Sequence, residues 1–288
     1  MSDVDQCQRF LFEQLAIRGE ITGLQQSYQD VLNQHPYPQP VAKLLGEFMA
    51  AVSLLSDTLK FRGRLSLQAK GEGQVRVVLA ECEQHERLRA IARYNDDFID
   101  GGALLGAGQL AITIEPENGQ RYQGIVSLAD RGLASALEDY FQQSEQIKTR
   151  LWLAADGQRA AGLLIQAMPE SASESSLSQD SEPWDRIISL SDTITDDELL
   201  KLSNERLLVR LFHEETVRTW PPTRRYFECS CSHERSANAL SSIGYAEARQ
   251  LAAEQGSIEV DCQFCHAKYF YSVEDVERLF GDQSTSLN

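Results

Sequence analysis

The chain lacks any run of about eighteen apolar residues, so no segment reads as a membrane-spanning helix. Met1 to Phe10 lacks the basic start and apolar middle of a secretory signal, so a cytoplasmic location is expected. Bases are few. Lysine and arginine total 27 against 43 aspartates and glutamates, a net charge of −16, which opposes a nucleic-acid-binding surface. No G-x-S-x-G and no P-loop lysine pattern occurs, and no two residues read as a general acid and base, so an enzyme is not expected. Gly106-Ala-Gly108-Gln-Leu-Ala111 fits a loose dinucleotide fingerprint, but Ile112-Thr-Ile114 reads as strand where a helix is needed. His213-Glu214 starts like a zinc-protease helix, yet position 217 is Val.

Cysteine is scarce but patterned. Of six, four form two close pairs: Cys229 and Cys231 as C-x-C, then Cys262 and Cys265 as C-x-x-C, with residues 232 to 261 between. Each pair supplies two sulfurs from one local turn, and four thiolates at tetrahedral spacing select one zinc ion over harder cations. The plain reading is a structural staple. A switch competes with it, because a C-x-C disulfide closes a small strained ring and residues 226 to 288 are too few to hold a large core without metal. His233 and His266 flank ligand cysteines and are expected outside the ligand set. Cys7 and Cys82 lie far off and read as small core hydrophobes.

With 42% hydrophobic residues the chain can bury a core. Residues 3 to 18 read as a short helix carrying Phe10, Leu11, Leu15 and Ile17. A buried helix is expected from Val41 to Leu59, where apolar residues recur at three and four. Strands are expected around Leu65–Ala69, Val75–Cys82, Leu88–Tyr94, Gln109–Glu115 and Tyr122–Leu128, then a helix over Leu133–Gln146 and a hairpin about Asp156-Gly157. The fold class is α+β: a core domain of mixed helix and antiparallel sheet over residues 1–170, an acidic linker with a helix over 171–225, and a small four-cysteine zinc domain over 226–288. Pro169 to Pro183 is serine-rich and reads as solvated linker. Thr195-Asp-Asp-Glu198 is a capping box, predicting one helix to about Phe212. Its apolar stripe includes Leu199, Leu200, Leu207, Leu208, Leu211 and Phe212. Covered, the stripe is core; exposed, it is an adhesive surface.

At the cysteines the chain resembles the heat shock protein 33 family of redox-regulated holdase chaperones. The resemblance rests on Phe227-Glu-Cys-Ser-Cys-Ser232 with Glu234 and Arg235, and on Ile258-Glu-Val-Asp-Cys-Gln-Phe-Cys265 with Tyr269. Upstream it rests on Tyr140-Phe-Gln-Gln-Ser-Glu-Gln146 and Gly162-Leu-Leu-Ile-Gln166. His233 stands where the family commonly has Arg. The resemblance implies a cytoplasmic, ATP-independent chaperone, inactive while reduced and zinc-bound. It implies that oxidation forms disulfides Cys229–Cys231 and Cys262–Cys265, releases zinc and unfolds the C-terminal region. A reduced monomer, an activated homodimer, unfolded clients and downstream ATP-driven chaperones follow from the same resemblance. The alternative is a zinc-ribbon nucleic-acid binder, with Arg218, Arg224, Arg225 and Arg235 either meeting phosphates or offsetting a zinc-tetrathiolate charge. A thiol oxidoreductase built on Cys262 and Cys265 ranks third, since its motif should open a helix in a βαβ unit.

Overall fold

The computed structural model describes residues 4–58, 62–128, 132–168 and 182–284. The chain opens with a hairpin, not the helix expected over residues 3–18: β1 (Gln6–Phe12) pairs antiparallel with β2 (Ile17–Leu24). Phe10 and Phe12 alternate at the strand period and bury together. Gly19 lies opposite Phe10, and a Cβ there would come within 2.1 Å of the Phe10 ring, so the glycine that seemed to interrupt a helix is the bed for an aromatic across the hairpin. The next element, α1 (Gln26–Leu32), carries no local cap; the Asp5 carboxylate accepts from the backbone N–H groups of Gln25, Gln26 and Ser27 instead.

The expected buried helix is α2 (Gln39–Thr58), and fifteen of its twenty residues are buried. Its apolar surface goes all round because it packs between two sheets. One sheet is built from β3 (Gly63–Gly71), β4 (Val75–Glu83), β5 (Arg87–Tyr94), β6 (Gly108–Pro116) and β7 (Tyr122–Leu128), all antiparallel neighbours in the order β5-β4-β3-β6-β7. Gly108 thus begins a strand, which removes the dinucleotide fingerprint. Then α3 (Gly132–Tyr140) runs into one π-helical turn, Phe141–Glu145, stopped by Gln146 in the left-handed region at φ 55°. The hairpin of β8 (Thr149–Ala155) and β9 (Ala160–Ala167) joins the other sheet, ordered β1-β2-β9-β8.

That second sheet is covered on both faces, and β9 is accordingly a continuous buried run. α2 covers one face. Three helices cover the other: α4 (Glu182–Ser191), α5 (Asp196–Lys201) and α6 (Asn204–Phe212). The capping box is present, with the Glu198 N–H donating to Thr195 Oγ1 at 3.3 Å and the Thr195 N–H to Glu198 Oε2 at 3.0 Å. The single helix expected to Phe212 is two. Leu202 is extended, and Ser203 Oγ accepts from the Arg206 N–H as a second cap, so the chain turns and both short helices lay their leucines on the sheet. Leu199, Leu207, Leu208, Leu211 and Phe212 are buried there against Phe10, Phe12 and Ile165; Leu200 is half-buried and Val209 exposed. Each fully buried side chain of this kind contributes about 1.5–3 kcal/mol. The serine-rich stretch falls, up to residue 181, outside the described residues, as does Leu59.

Three short strands return the chain to both sheets: β10 (Val217–Thr219) and β11 (Thr223–Arg224) on β1, and β12 (Tyr226–Phe227), parallel to β5. Arg225, between the last two, is fully buried. Its guanidinium donates to Asp57 Oδ1 at 2.7 Å, to Ser53 Oγ at 2.9 Å, to the Ser53 carbonyl at 3.2 Å and to the His85 carbonyl. Here the first compact unit ends, at Glu228; the second runs from Cys229. It contains α7 (His233–Ile243), α8 (Tyr245–Gln255), the hairpin β13 (Ile258–Asp261) and β14 (Lys268–Tyr271), and α9 (Val273–Ser284). Its buried apolar residues are Ala237, Leu240, Ala248, Ala252, Tyr271 and Val276.

Candidate metal centre

The second unit brings its four cysteines to one point. Cys229 and Cys231 lie on extended chain before α7, whose cap is Ser232, with Oγ accepting from the Arg235 N–H at 3.1 Å. Cys262 and Cys265 lie in the tight turn joining β13 to β14. The Cys262 N–H donates to the Ala267 carbonyl at 2.9 Å, and the His266 N–H donates back to the Cys262 carbonyl at 2.8 Å, with His266 left-handed at φ 55°. This turn points both sulfurs of the C-x-x-C to one side. It follows a strand and does not open a helix, unlike the arrangement a βαβ oxidoreductase needs.

The four Sγ atoms all lie within 4.8 Å of one another. Two of these separations cross the motifs at 3.5 Å, from Cys229 to Cys262, and 3.4 Å, from Cys231 to Cys265. A tetrahedral ion with metal–sulfur bonds of about 2.3 Å has sulfur–sulfur edges of about 3.8 Å. The donor set therefore fits a four-coordinate soft metal, and every sulfur has every other as a neighbour, so proximity alone selects no disulfide pairing.

The surroundings distinguish the sulfurs. Burial and hydrogen bonding with the neighbouring thiols push Cys229 up to about 11, and burial raises Cys265 further. Burial opposes ionisation of Cys231 as well, but hydrogen bonds from the Tyr269 hydroxyl and the other thiols outweigh it and hold Cys231 below the usual thiol value. The Tyr269 hydroxyl donates to Cys231 Sγ at 3.1 Å. Thiols this close resist ionising together, and a cation bound among them would hold all four as thiolates. His233 is not among the ligands. Its ring stacks on Tyr271 at 4.3 Å and its Nε2 lies 3.3 Å from the Phe270 carbonyl oxygen.

The arginines near the cysteines are mostly engaged elsewhere. Arg225 is spent on Asp57 within the first unit, and Arg218 pairs with Glu13 at 2.6 Å; Arg235 donates to the Ser230 carbonyl at 2.7 Å. Sequence reasoning missed the role of Arg225, because only the pairing of β11 and β12 with different sheets carries that side chain inward. Cys7 and Cys82 are buried beside it. Cys7 lies close to Glu20 and Asp57, but Arg9 and Arg225 pair with those carboxylates, so this group is an ion-pair cluster in the core. No helix among the described residues is long and apolar enough to cross a membrane.

A two-sheet α+β unit followed by a small unit built round four clustered thiols defines the class: a metal-capable thiol protein. The model of the Hsp33 protein family matches residues 5–272, and the chain belongs to that family of chaperones. It is 49% identical over 285 residues to the 33 kDa chaperonin of Pseudomonas paraeruginosa, covering 97% of this chain and 96% of that one. It is 50% identical over 281 residues to the 33 kDa chaperonin of Ectopseudomonas mendocina, covering 96% and 95%. The crystal structure of a 33 kDa chaperonin from Thermotoga maritima shares the fold, with a TM-score of 0.79 over 98% of this chain and 99% of that one at 20% identity.

Proposed function

We propose that the protein is a redox-regulated, ATP-independent holdase whose sensor is Cys229, Cys231, Cys262 and Cys265. The observation that carries this reading is four sulfurs within 4.8 Å in a unit with six buried apolar residues among those described. One zinc ion, when bound, supplies the charge that keeps these sulfurs as thiolates and most of the energy that keeps the unit folded. On oxidation, Cys229 joins Cys231 and Cys262 joins Cys265. Each pair of thiolates gives up two electrons; hypochlorous acid takes them and leaves as chloride and hydroxide. All four sulfurs lie within 4.8 Å of one another, so this pairing is within reach, and once each pair is closed on itself no shared metal joins the segment at Cys229 to the turn at Cys262.

With its ligand pairs parted, the second unit has too small a core to stay folded. The chain is then free from residue 229 onward, and α4 to α6 lift from their sheet. The face carrying Leu199, Leu200, Leu207, Leu208, Leu211 and Phe212 becomes the client surface, binding unfolding proteins in the cytoplasm. The exposed face also pairs two activated chains, reduced monomers becoming dimers, and clients pass to ATP-driven chaperones after reduction.

The test compares reduced, zinc-loaded protein with hypochlorite-treated protein in light scattering from an unfolding client without ATP. Zinc and free thiols are counted in both, and hydrogen exchange is followed over residues 196–212. Expected are suppression after oxidation alone, loss of zinc and four thiols, and fast exchange in α5 and α6. Equal suppression in both states, or none in either, returns the cysteines to a structural staple. Slow exchange over 196–212 with full suppression removes the helices from the client surface.

A further inference from the structure

Tyr269 belongs to a stretch that carries the family resemblance, yet it is neither one of the four thiols nor one of the fully buried residues of its unit. It stands on β14 opposite Val260 of β13, in the hairpin whose turn holds Cys262 and Cys265. Its hydroxyl leaves that hairpin and donates to Sγ of Cys231, in the other motif, at 3.1 Å. The side chain thus runs from the hairpin of one thiol pair to a sulfur of the other.

An aromatic row holds the ring in place. The edge of Tyr269 meets His233 with ring centres 6.3 Å apart and planes at 75°, and His233 in turn stacks on Tyr271. His233 is the first residue of α7 and directly follows the Ser232 cap, so the row is fixed to the helix that begins where the C-x-C segment ends. Cys229 and Cys265 take hydrogen bonds from the backbone N–H groups of Cys231 and Ala267. Backbone donors come with any residue type. The hydroxyl on Cys231 comes from a side chain, and one substitution removes it.

A hydroxyl that donates to a thiolate draws charge from the sulfur. With a cation holding all four thiols ionised, the thiolate fraction no longer separates them. Intrinsic nucleophilicity then does, and it falls as the basicity of the sulfur falls. Closing Cys229–Cys231 uses Cys231 as a nucleophile in either order. With hydrogen peroxide, one thiolate attacks an oxygen and takes OH, the O–O bond breaks and hydroxide leaves. The second thiolate then attacks the sulfur of this sulfenic acid and expels a second hydroxide as the S–S bond forms. The two thiolates lose two electrons, and peroxide gains them. Whether Cys231 attacks oxygen or the Cys229 sulfur, it must give the electron pair that the hydroxyl draws on. We propose that Tyr269 is a positioning residue that sets the oxidant threshold of the sensor: its hydrogen bond slows Cys231 and delays closure of the Cys229–Cys231 disulfide. This rests on the redox reading above.

The test uses the full chain, reduced and zinc-loaded, with one zinc per chain counted in every variant. Alkylation by iodoacetamide is resolved cysteine by cysteine in the mass spectrometer, with Cys229 as the internal reference for Cys231. Tyr269→Phe should speed Cys231 about threefold to tenfold over Cys229, and should shorten the half-time of zinc release by peroxide to a similar extent. Incorporating 3-fluorotyrosine at position 269 keeps the shape and strengthens the donor, so it should slow Cys231 below the parent. Tyr271→Phe removes a hydroxyl that bonds Ser236 and the His233 carbonyl, and should leave the ratio unchanged. A Tyr269→Phe chain whose four thiols all speed up together, or a Tyr271→Phe chain with the same selective rise, overturns the proposal and makes Tyr269 a packing residue. A selective rise with unaltered zinc release overturns the threshold. Should Tyr269→Phe fail to hold zinc, the fluorotyrosine chain decides: an unslowed Cys231 overturns the proposal. The alkylation ratio needs no client, so failure of the holdase reading in light scattering and failure of this proposal are separate results.

Discussion

The two compact units reach order by different means. The first surrounds one helix with two sheets and covers the outer face of one sheet with three more helices; α2 alone buries fifteen residues. Among its described residues the second buries six apolar side chains, and it gathers four sulfurs within 4.8 Å of one another. A hydrophobic core is indifferent to oxidants. A thiolate cluster is not, because the electrons that hold a metal are the electrons an oxidant takes. On the proposed reading, oxidation acts first on the last sixty residues, and α2 with its two sheets stays folded while the helices α4 to α6 become available.

The largest expected effect separates the units outright. Stripping metal from the reduced chain with a strong chelator should unfold residues 229–288, since a structural zinc carries roughly 10–16 kcal/mol of apparent folding energy. Hydrogen exchange and limited proteolysis should report fast exchange and cleavage beyond residue 228, with α2 still protected. Coincident loss of α2 protection would end the distinction.

The reverse break is smaller. Arg225→Ala leaves Asp57 buried with its main partner gone. The first unit should lose about 3–5 kcal/mol in urea unfolding. Zinc content and the count of reactive thiols should not change, because the Arg225 side chain bonds to Ser53, Asp57, His85, Thr223 and Arg224, all of the first unit. A loss of zinc in this variant would mean that the units fold as one.

The smallest effect concerns pH. Burial, then the nearby Asp196 carboxylate, push Glu47 up to about 7 from a usual 4.5. The folded first unit thus holds a proton that the unfolded chain releases, so Glu47 contributes most below about pH 4.5 and that contribution is lost as pH rises through about 7. Glu47→Gln should therefore gain on the parent by about 1–2 kcal/mol between pH 4 and 8, read as the difference in unfolding free energy. A constant difference across that range would remove Glu47 as the source, and would leave the first unit's acid response to its other carboxylates.

Much of this was legible in order of residues. Val41 to Leu59 repeats apolar residues all round a helix, and only a doubly covered helix tolerates that. Val75–Cys82 is an apolar run of strong β propensity and Leu88–Tyr94 alternates, and both are strands. Thr195 and Glu198 form the box their spacing promised. The misreadings have one cause. Phe10, Leu11, Leu15 and Ile17 were compatible with a helix as well as a hairpin, and the choice was made by Gly19 lying beneath Phe10, a contact between strands. The helix α1 is capped by Asp5, some twenty residues before it, and no local pattern records that. Ser203 lay in plain view, but whether it would cap a second helix depended on both halves finding the same sheet.

Composition and spacing determined the fold class, the charge, and the four sulfurs as a soft-metal site, because period and ligand type are local properties of a chain. Tertiary structure alone decided that the leucines of α5 and α6 are covered by the sheet they lie on, that Arg225 is buried within the first unit, and that Tyr140–Gln146 and Gly162–Gln166 meet at one cavity. Those are facts about which surfaces touch. They depend on summed burial across residues hundreds of positions apart, and no single stretch of sequence contains that sum.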